Sequence, residues 1–190
     1  MKTYIYFVRH AISPFSIGNE KERGLFEQGK QDAHKVAQLL IDEGINAIKS
    51  STYKRAIETV KALADQLNLP ILEFEELRER PIASLEYEVA EEELQVGIKK
   101  SFEDIDYCLL GGESTREAQD RAIPIIKRLL TKYEGMKIVI GTHGNIMTII
   151  MKYFDNSYGN EFWKQTTKPD IYQLEFEGSK LNKVERIWKP

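Results

Sequence analysis

Met136–Asn145 reads MKIVIGTHGN. Ile138, Val139 and Ile140 form a short unbroken run of β-branched apolar side chains, the pattern of a strand buried on both faces. The run stops at Gly141, and Thr142-His143-Gly144-Asn145 leads straight into a helix predicted over Gly144–Phe154. A doubly buried strand that feeds a helix is the unit from which parallel α/β sheets are built.

The same alternation continues on either side. Upstream, Thr3–Val8 (TYIYFV) predicts a first strand. A helix follows over Gln28–Glu43, with Val36, Leu39 and Leu40 at helical spacing and Gly44 where a C-terminus favours glycine. Ile45–Ser50 is a second strand. Lys54–Leu67 carries Ala56, Val60, Leu63, Ala64 and Leu67 on one stripe, with Pro70 closing the helix and Ile71–Phe74 as a third strand. Glu88–Lys100 reads as a helix with Ala90, Leu94 and Ile98 on its apolar side. Ser114-Thr115-Arg116-Glu117 is a capping box that opens a helix to about Tyr133, with a bend expected at Pro124. Ile171–Phe176 and Lys183–Trp188 close the chain as a hairpin around Gly178. The expected fold is α/β: a three-layer α/β/α sandwich with a mostly parallel central sheet, in a single domain over residues 1–190.

Composition agrees with that reading. The 190 residues are 42% hydrophobic and 30% charged, with 6 Pro and 12 Gly, which excludes collagen-like, low-complexity and disordered chains. A net charge of −3, from 27 basic and 30 acidic residues, gives no footprint for nucleic acid or an acidic membrane surface. No apolar stretch approaches ~20 residues and the amino terminus has no cleavage-site pattern, so the expectation is a soluble, cytoplasmic protein. Cys108 is the only cysteine, which fits a reducing compartment and excludes an intramolecular disulfide; it is expected to pack rather than react.

In parallel sheets ligands bind beyond the carboxyl ends of the strands. Here those ends read Arg9-His10, Ser50-Ser51-Thr52-Tyr53-Lys54-Arg55 and Thr142-His143-Gly144-Asn145, so two of the three histidines meet two arginines at one edge. A metal suits such a group poorly, since arginines repel it and no His-x-His or His-x3-His pair is present. Phosphate suits it well, because guanidinium groups grip phosphate oxygens in pairs and helix N-termini attract anions. A neutral imidazole in that setting is a competent nucleophile toward phosphorus. Alone, Arg9-His10 reads as a structural strand-end pair, Arg55 as a helix-start residue facing a carboxylate, and His143 as a buried turn histidine. Their convergence is what points to chemistry. His34, mid-helix, and the Glu91-Glu92-Glu93 run are read as solvated faces. Gly112-Glu113-Ser114 is read as a turn and cap.

Arg9-His10, Leu25-x3-Gly29-x3-Ala33, Ser51-x3-Arg55-Ala56-x2-Thr59, Gly112-Glu113-Ser114 and Thr142-His143-Gly144-Asn145 resemble, in order and spacing, the motifs of the histidine phosphatase superfamily, in its phosphoglycerate mutase-like branch. The resemblance covers Lys2 to about Met151. It implies a phosphoglycerate mutase-like fold and a metal-independent phosphomonoesterase without a cofactor, acting on a small phosphorylated substrate and on neither nucleic acid nor membrane. His10 would be the nucleophile, forming a phosphohistidine. Arg9, Arg55, His143, Gly144 and Ser16 would join it in holding the phosphoryl group. Glu79, in Leu77-Arg78-Glu79, would be the general acid and then the base. Residues 75–112 would form the segment that covers the substrate. Ala11, Ile12 and Ser16 depart from the family's usual glycine, acidic residue and asparagine. Those departures leave a non-catalytic phospho-ligand binding protein as one rival, and mutase-type phosphoryl transfer as another, although mutases of this kind are longer between the acid and Gly-Glu-Ser.

Overall fold

The structure, a computed structural model, describes residues 1–14, 18–84 and 89–189. Its sheet has six strands: β1 (Lys2–Arg9), β2 (Ala47–Ser51), β3 (Ile71–Phe74), β4 (Lys137–Thr142), β5 (Asp170–Glu177) and β6 (Lys180–Arg186), in the spatial order β3-β2-β4-β1-β5-β6. The first four run parallel, and β5 lies antiparallel to both β1 and β6. Among the described residues six α-helices accompany them: α1 (Glu27–Leu40), α2 (Lys54–Leu67), α3 (Glu91–Glu103), α4 (Thr115–Lys132), α5 (Gly144–Phe154) and α6 (Asn160–Gln165).

Alternation along β1 divides the core into two. Tyr6 and Val8 face the cluster formed with Val36, Leu40, Val60 and Leu63 of α1 and α2. Ile5 and Phe7 face the opposite cluster, which holds Ile126 of α4, Ile149 of α5 and the α3 residues Ile98 and Phe102. A period-2 strand between two period-3.6 helical stripes gives the three-layer sandwich expected from the sequence.

Several local readings need correction. Leu39 is exposed, and α1 buries Val36, Ala37 and Leu40 instead. Asn68, in the left-handed conformation at φ 51°, ends α2 before Pro70 is reached. The buried side of α3 is Gly97, Ile98, Ser101 and Phe102 rather than the Ala90–Leu94 flank. Cys108 is exposed. α4 runs unbroken through Pro124, which lies on its exposed side, as does Asp120, whose carbonyl loses its i+4 donor to the ring. The capping box is present: Glu117 N–H donates to Ser114 Oγ at 3.2 Å, and Ser114 N–H to Glu117 Oε2 at 2.8 Å. The helix α6 carries no periodic signal, being 6 residues long, and its Phe162 and Trp163 pack against the α4–α5 cluster as a corner. No helix among the described residues is long and apolar enough to cross a membrane.

Candidate active site

β1 and β4 are neighbours in register, Arg9 opposite Thr142, and His10 N–H donates to Thr142 O at 2.9 Å. The residues that follow each strand are therefore side by side, and the rings of His10 and His143 meet edge-on with centroids 5.3 Å apart. Both are buried, at 5% and 0% exposure. Arg55 reaches the same point from the first turn of α2, itself 1% exposed.

Each histidine is oriented by its second nitrogen. His10 Nδ1 lies 2.7 Å from the Ala11 carbonyl. A carbonyl only accepts, so Nδ1 carries the proton and Nε2 keeps its lone pair. His143 Nε2 lies 2.7 Å from Ser51 Oγ, and that oxygen accepts from Tyr53 N–H at 3.1 Å. Burial first, then Arg55 and Arg9, hold the His10 pKa well below 6.5, with Lys168 adding to them. Burial, then His10 and Arg55, do the same to His143. Both imidazoles are neutral at pH 7.

That neutrality has a stability consequence. In the unfolded chain both histidines take up protons below about pH 6.5, whereas in the folded protein they do not until far lower. Stability is therefore full above that value and falls as pH drops from 7 to 5, by up to about 1.4 kcal/mol per pH unit for each histidine. Denaturant titrations at several pH values across that window should show the decline, and His143→Gln should flatten it. An unchanged slope in the variant would contradict the assignment.

The two arginines are held by different devices. Arg9 Nη1 donates to the carbonyl of Thr166, at 3.1 Å, and to its hydroxyl. Gly144 lies under that guanidinium: a Cβ there would come 2.6 Å from Arg9 Cζ. Arg55 Nη1 donates to Glu20 O, and Nη2 pairs with Glu20 Oε2 at 3.1 Å. Arg23 Nη2 also reaches Glu20 Oε2, at 3.1 Å, so one carboxylate bridges two guanidinium groups.

Glu79 stands at the N-terminus of α5. Its Oε2 accepts from Asn145 N–H at 3.1 Å, and its Oε1 from Ile146 N–H at 2.8 Å and Arg80 N–H at 2.9 Å. The anion that the sequence led us to expect at this helix start includes a residue of the chain itself. Arg80, 3% exposed, locks the arrangement from behind through Asn145 Oδ1 at 2.6 Å and Thr115 Oγ1 at 3.1 Å.

Ala11 carries no left-handed backbone, since Asn68 is the single non-glycine with positive φ among the described residues. Its methyl is buried with Leu25 and Ala33, and its N–H donates to Thr59 Oγ1 at 3.0 Å. Gly29 accommodates the same loop: a Cβ at that position would meet the Ile12 carbonyl at 2.4 Å. Ser16 lies outside the described residues, as do Phe15 and Tyr87. His34 is exposed, and Glu113 is engaged structurally by Arg121 Nε at 2.7 Å.

Four residues of this edge were not singled out from the sequence: Glu20, Arg23, Arg80 and Lys168. Lys168 stands in the segment before β5. Because β5 is antiparallel to β1, with Asp170 opposite Arg9, the residues preceding β5 arrive at the edge where β1 ends. Among the described residues, buried side-chain atoms without a hydrogen-bond partner are Arg9 Nε, Arg55 Nε, Arg80 Nε, Thr142 Oγ1, His143 Nδ1 and Asn160 Oδ1, and all but the last belong here. Buried unpaired donors are costly to a fold, and this group matches the needs of an oxyanion. No three His, Cys, Asp or Glu side chains of the described residues are grouped as a metal site requires.

A profile of the family described as "Histidine phosphatase superfamily (branch 1)" matches residues 5–188. The chain is 33% identical to phosphoglycerate mutase-like protein 4 of Arabidopsis thaliana, across 93% of this chain and 81% of that one. A glucosyl-3-phosphoglycerate phosphatase of Mycolicibacterium vanbaalenii is 23% identical across 77% of this chain and 71% of its own length. Among solved structures, one described as mycobacterial hydrolase 1 superposes with a TM-score of 0.79 at 18% identity, covering 98% of this chain and 97% of that one.

Proposed function

Because the chain belongs to the histidine phosphatase superfamily, branch 1, we propose that it is a metal-independent phosphomonoesterase that hydrolyses a small phosphorylated substrate through a phosphohistidine on His10. The observation that carries the reading is the His10 ring: Nδ1–H committed to the Ala11 carbonyl, Nε2 free, beside His143 and two arginines.

In the first step the Nε2 lone pair attacks phosphorus and the P–O bond to the alcohol breaks, while Glu79 gives its proton to the departing oxygen. Two of the carboxyl oxygens' roughly four lone-pair positions face Arg80 and Ile146 N–H groups and a third faces Asn145 N–H, which leaves one for the proton. In the second step Glu79 takes a proton from water, the water oxygen attacks phosphorus, the P–N bond breaks and His10 regains its lone pair. Arg9 and Arg55 spread the charge of the transferring group, the work a metal does in other phosphoryl-transfer sites. His143 holds an oxygen through Nδ1–H, in the tautomer where Ser51 donates to Nε2. The Gly144 backbone allows Arg9 to lie flat across the start of α5. Residues 75–84 bring Glu79 and Arg80 to the site and, with 89–112, cover it, and the setting is cytoplasmic.

Hydrolysis of p-nitrophenyl phosphate in excess EDTA tests this reading. Phosphate release should persist under chelation, and rapid quenching should trap an alkali-stable, acid-labile phosphoprotein. Activity that disappears with EDTA and returns with a divalent cation would sink the proposal. Retention of phosphate on a monophosphoglycerate, with isomerisation in place of release, would favour transfer over hydrolysis.

A further inference from the structure

At the β3 edge of the sheet, on the face that packs against α4, a cavity of about 290 Å3 opens between β2, β3 and the C-terminal half of α4. Lys49, Leu72, Phe74, Arg128, Lys132 and Tyr133 line it. It shares no residue with the histidine and arginine group described above.

Three cations line this cavity, and among the described residues no carboxylate does. Lys49 is 3% exposed, and among the described residues neither it nor Arg128 nor Lys132 makes a hydrogen bond or ion pair. They stand over rings: Lys49 Nζ is 4.9 Å and Lys132 Nζ 5.6 Å from the centre of Tyr133, and Arg128 Cζ is 5.6 Å from that of Phe74. Lys49 is buried along its stem, while its ammonium, which is not among the buried unpartnered atoms, opens into the cavity; a ring face satisfies none of the three N–H donors of an ammonium. Arg128 and Lys132 have a local explanation, since the C-terminal end of a helix favours positive charge. Lys49 has none. It projects from β2 beside Leu72 of β3, its register partner, in a position where an apolar side chain would complete the layer.

We propose that this cavity binds a small organic phosphate. The guanidinium fork and two ammonium groups would take the phosphate oxygens, and Leu72 with Phe74 the hydrocarbon part. Phosphate carries enough charge and oxygens to engage three cations at once, and Arg in particular matches its geometry. The cavity volume limits the ligand to a small metabolite.

Phenylphosphonate, which cannot be hydrolysed, is the probe, and backbone amide shifts in 15N-labelled protein are the readout. The expected result is saturable shifts at Leu72–Phe74 and Arg128–Tyr133, separable from any at His143–Asn145. The double variant Arg128→Ala/Lys132→Ala, both exposed positions, should weaken the first set at least about tenfold and leave the second within about twofold. Lys49→Met should weaken the first set as well. The proposal is overturned if the first set does not move in the wild type, or moves equally in the double variant. Phthalate matching phenylphosphonate would overturn the assignment of phosphate over carboxylate. Shifts confined to the first set would count against the proposed catalytic site and not against this one.

Discussion

His10→Ala is expected to lower kcat/KM toward p-nitrophenyl phosphate by about 10⁴-fold or more, because removing a nucleophile eliminates the covalent route rather than slowing it. The loss should fall on kcat. Arg9, Arg55 and His143 remain, so orthovanadate or phosphate should still raise the thermal midpoint of the variant. The substitution leaves the Ala11 carbonyl without its imidazole donor at a buried position, a stability cost of roughly 1–3 kcal/mol that a denaturation curve reads independently. A variant that is folded, binds vanadate and turns over within tenfold of the parent would remove His10 from the nucleophile's role. A parent protein that binds vanadate but shows no turnover on any phosphomonoester would instead support the phospho-ligand binding reading.

The second large effect is expected from one methyl group. Gly144→Ala puts a Cβ 2.6 Å from Arg9 Cζ and 2.7 Å from Nε, closer than a Cβ stands to any atom it is not bonded through. The guanidinium has to move, and moving it breaks its two bonds to Thr166 and withdraws the buried Nε from the site. A misplacement of about 1 Å in a positioning group costs about 10²-fold, which is the loss in kcat/KM expected here. The helix itself should not suffer: residue 144 is the first of α5, where alanine favours the helix over glycine by up to about 1 kcal/mol, which offsets part of the loss of the two bonds to Thr166. A variant with native stability and activity within threefold of the parent would show that Arg9 does not act from the position it occupies.

The elements with strong periodicity were legible from the sequence to the residue. Lys54–Leu67, Ile71–Phe74 and Gly144–Phe154 are the bounds of α2, β3 and α5, because stripe, turn residue and strand length agreed at those places. The histidines and arginines were legible for a topological reason, since parallel strands present their carboxyl ends together. What escaped depends on contacts distant in sequence. Lys168 reaches the site because β5 runs against β1, and a hairpin read from its own residues does not reveal which strand it will join. Glu20 sits between Arg23 and Arg55 through a loop with no periodic signal. Glu79 was found by family resemblance alone; its place at the start of α5, 66 residues away from Asn145 along the chain, has no local signature.

The spacing of the two histidines has a mechanical consequence. Both side chains hang from adjacent strands in the middle of a six-stranded sheet, joined at their tips by the bond from His10 N–H to Thr142 O. Their separation is thus a property of the strand ladder, about 4.8 Å between neighbours, rather than of any loop. Ligand binding has no work to do in bringing them together, and the chain entropy of assembling that pair is settled once, when the sheet forms. To pull the two backbones apart, β1 must leave β4, and a protein that has lost that pairing has lost its centre.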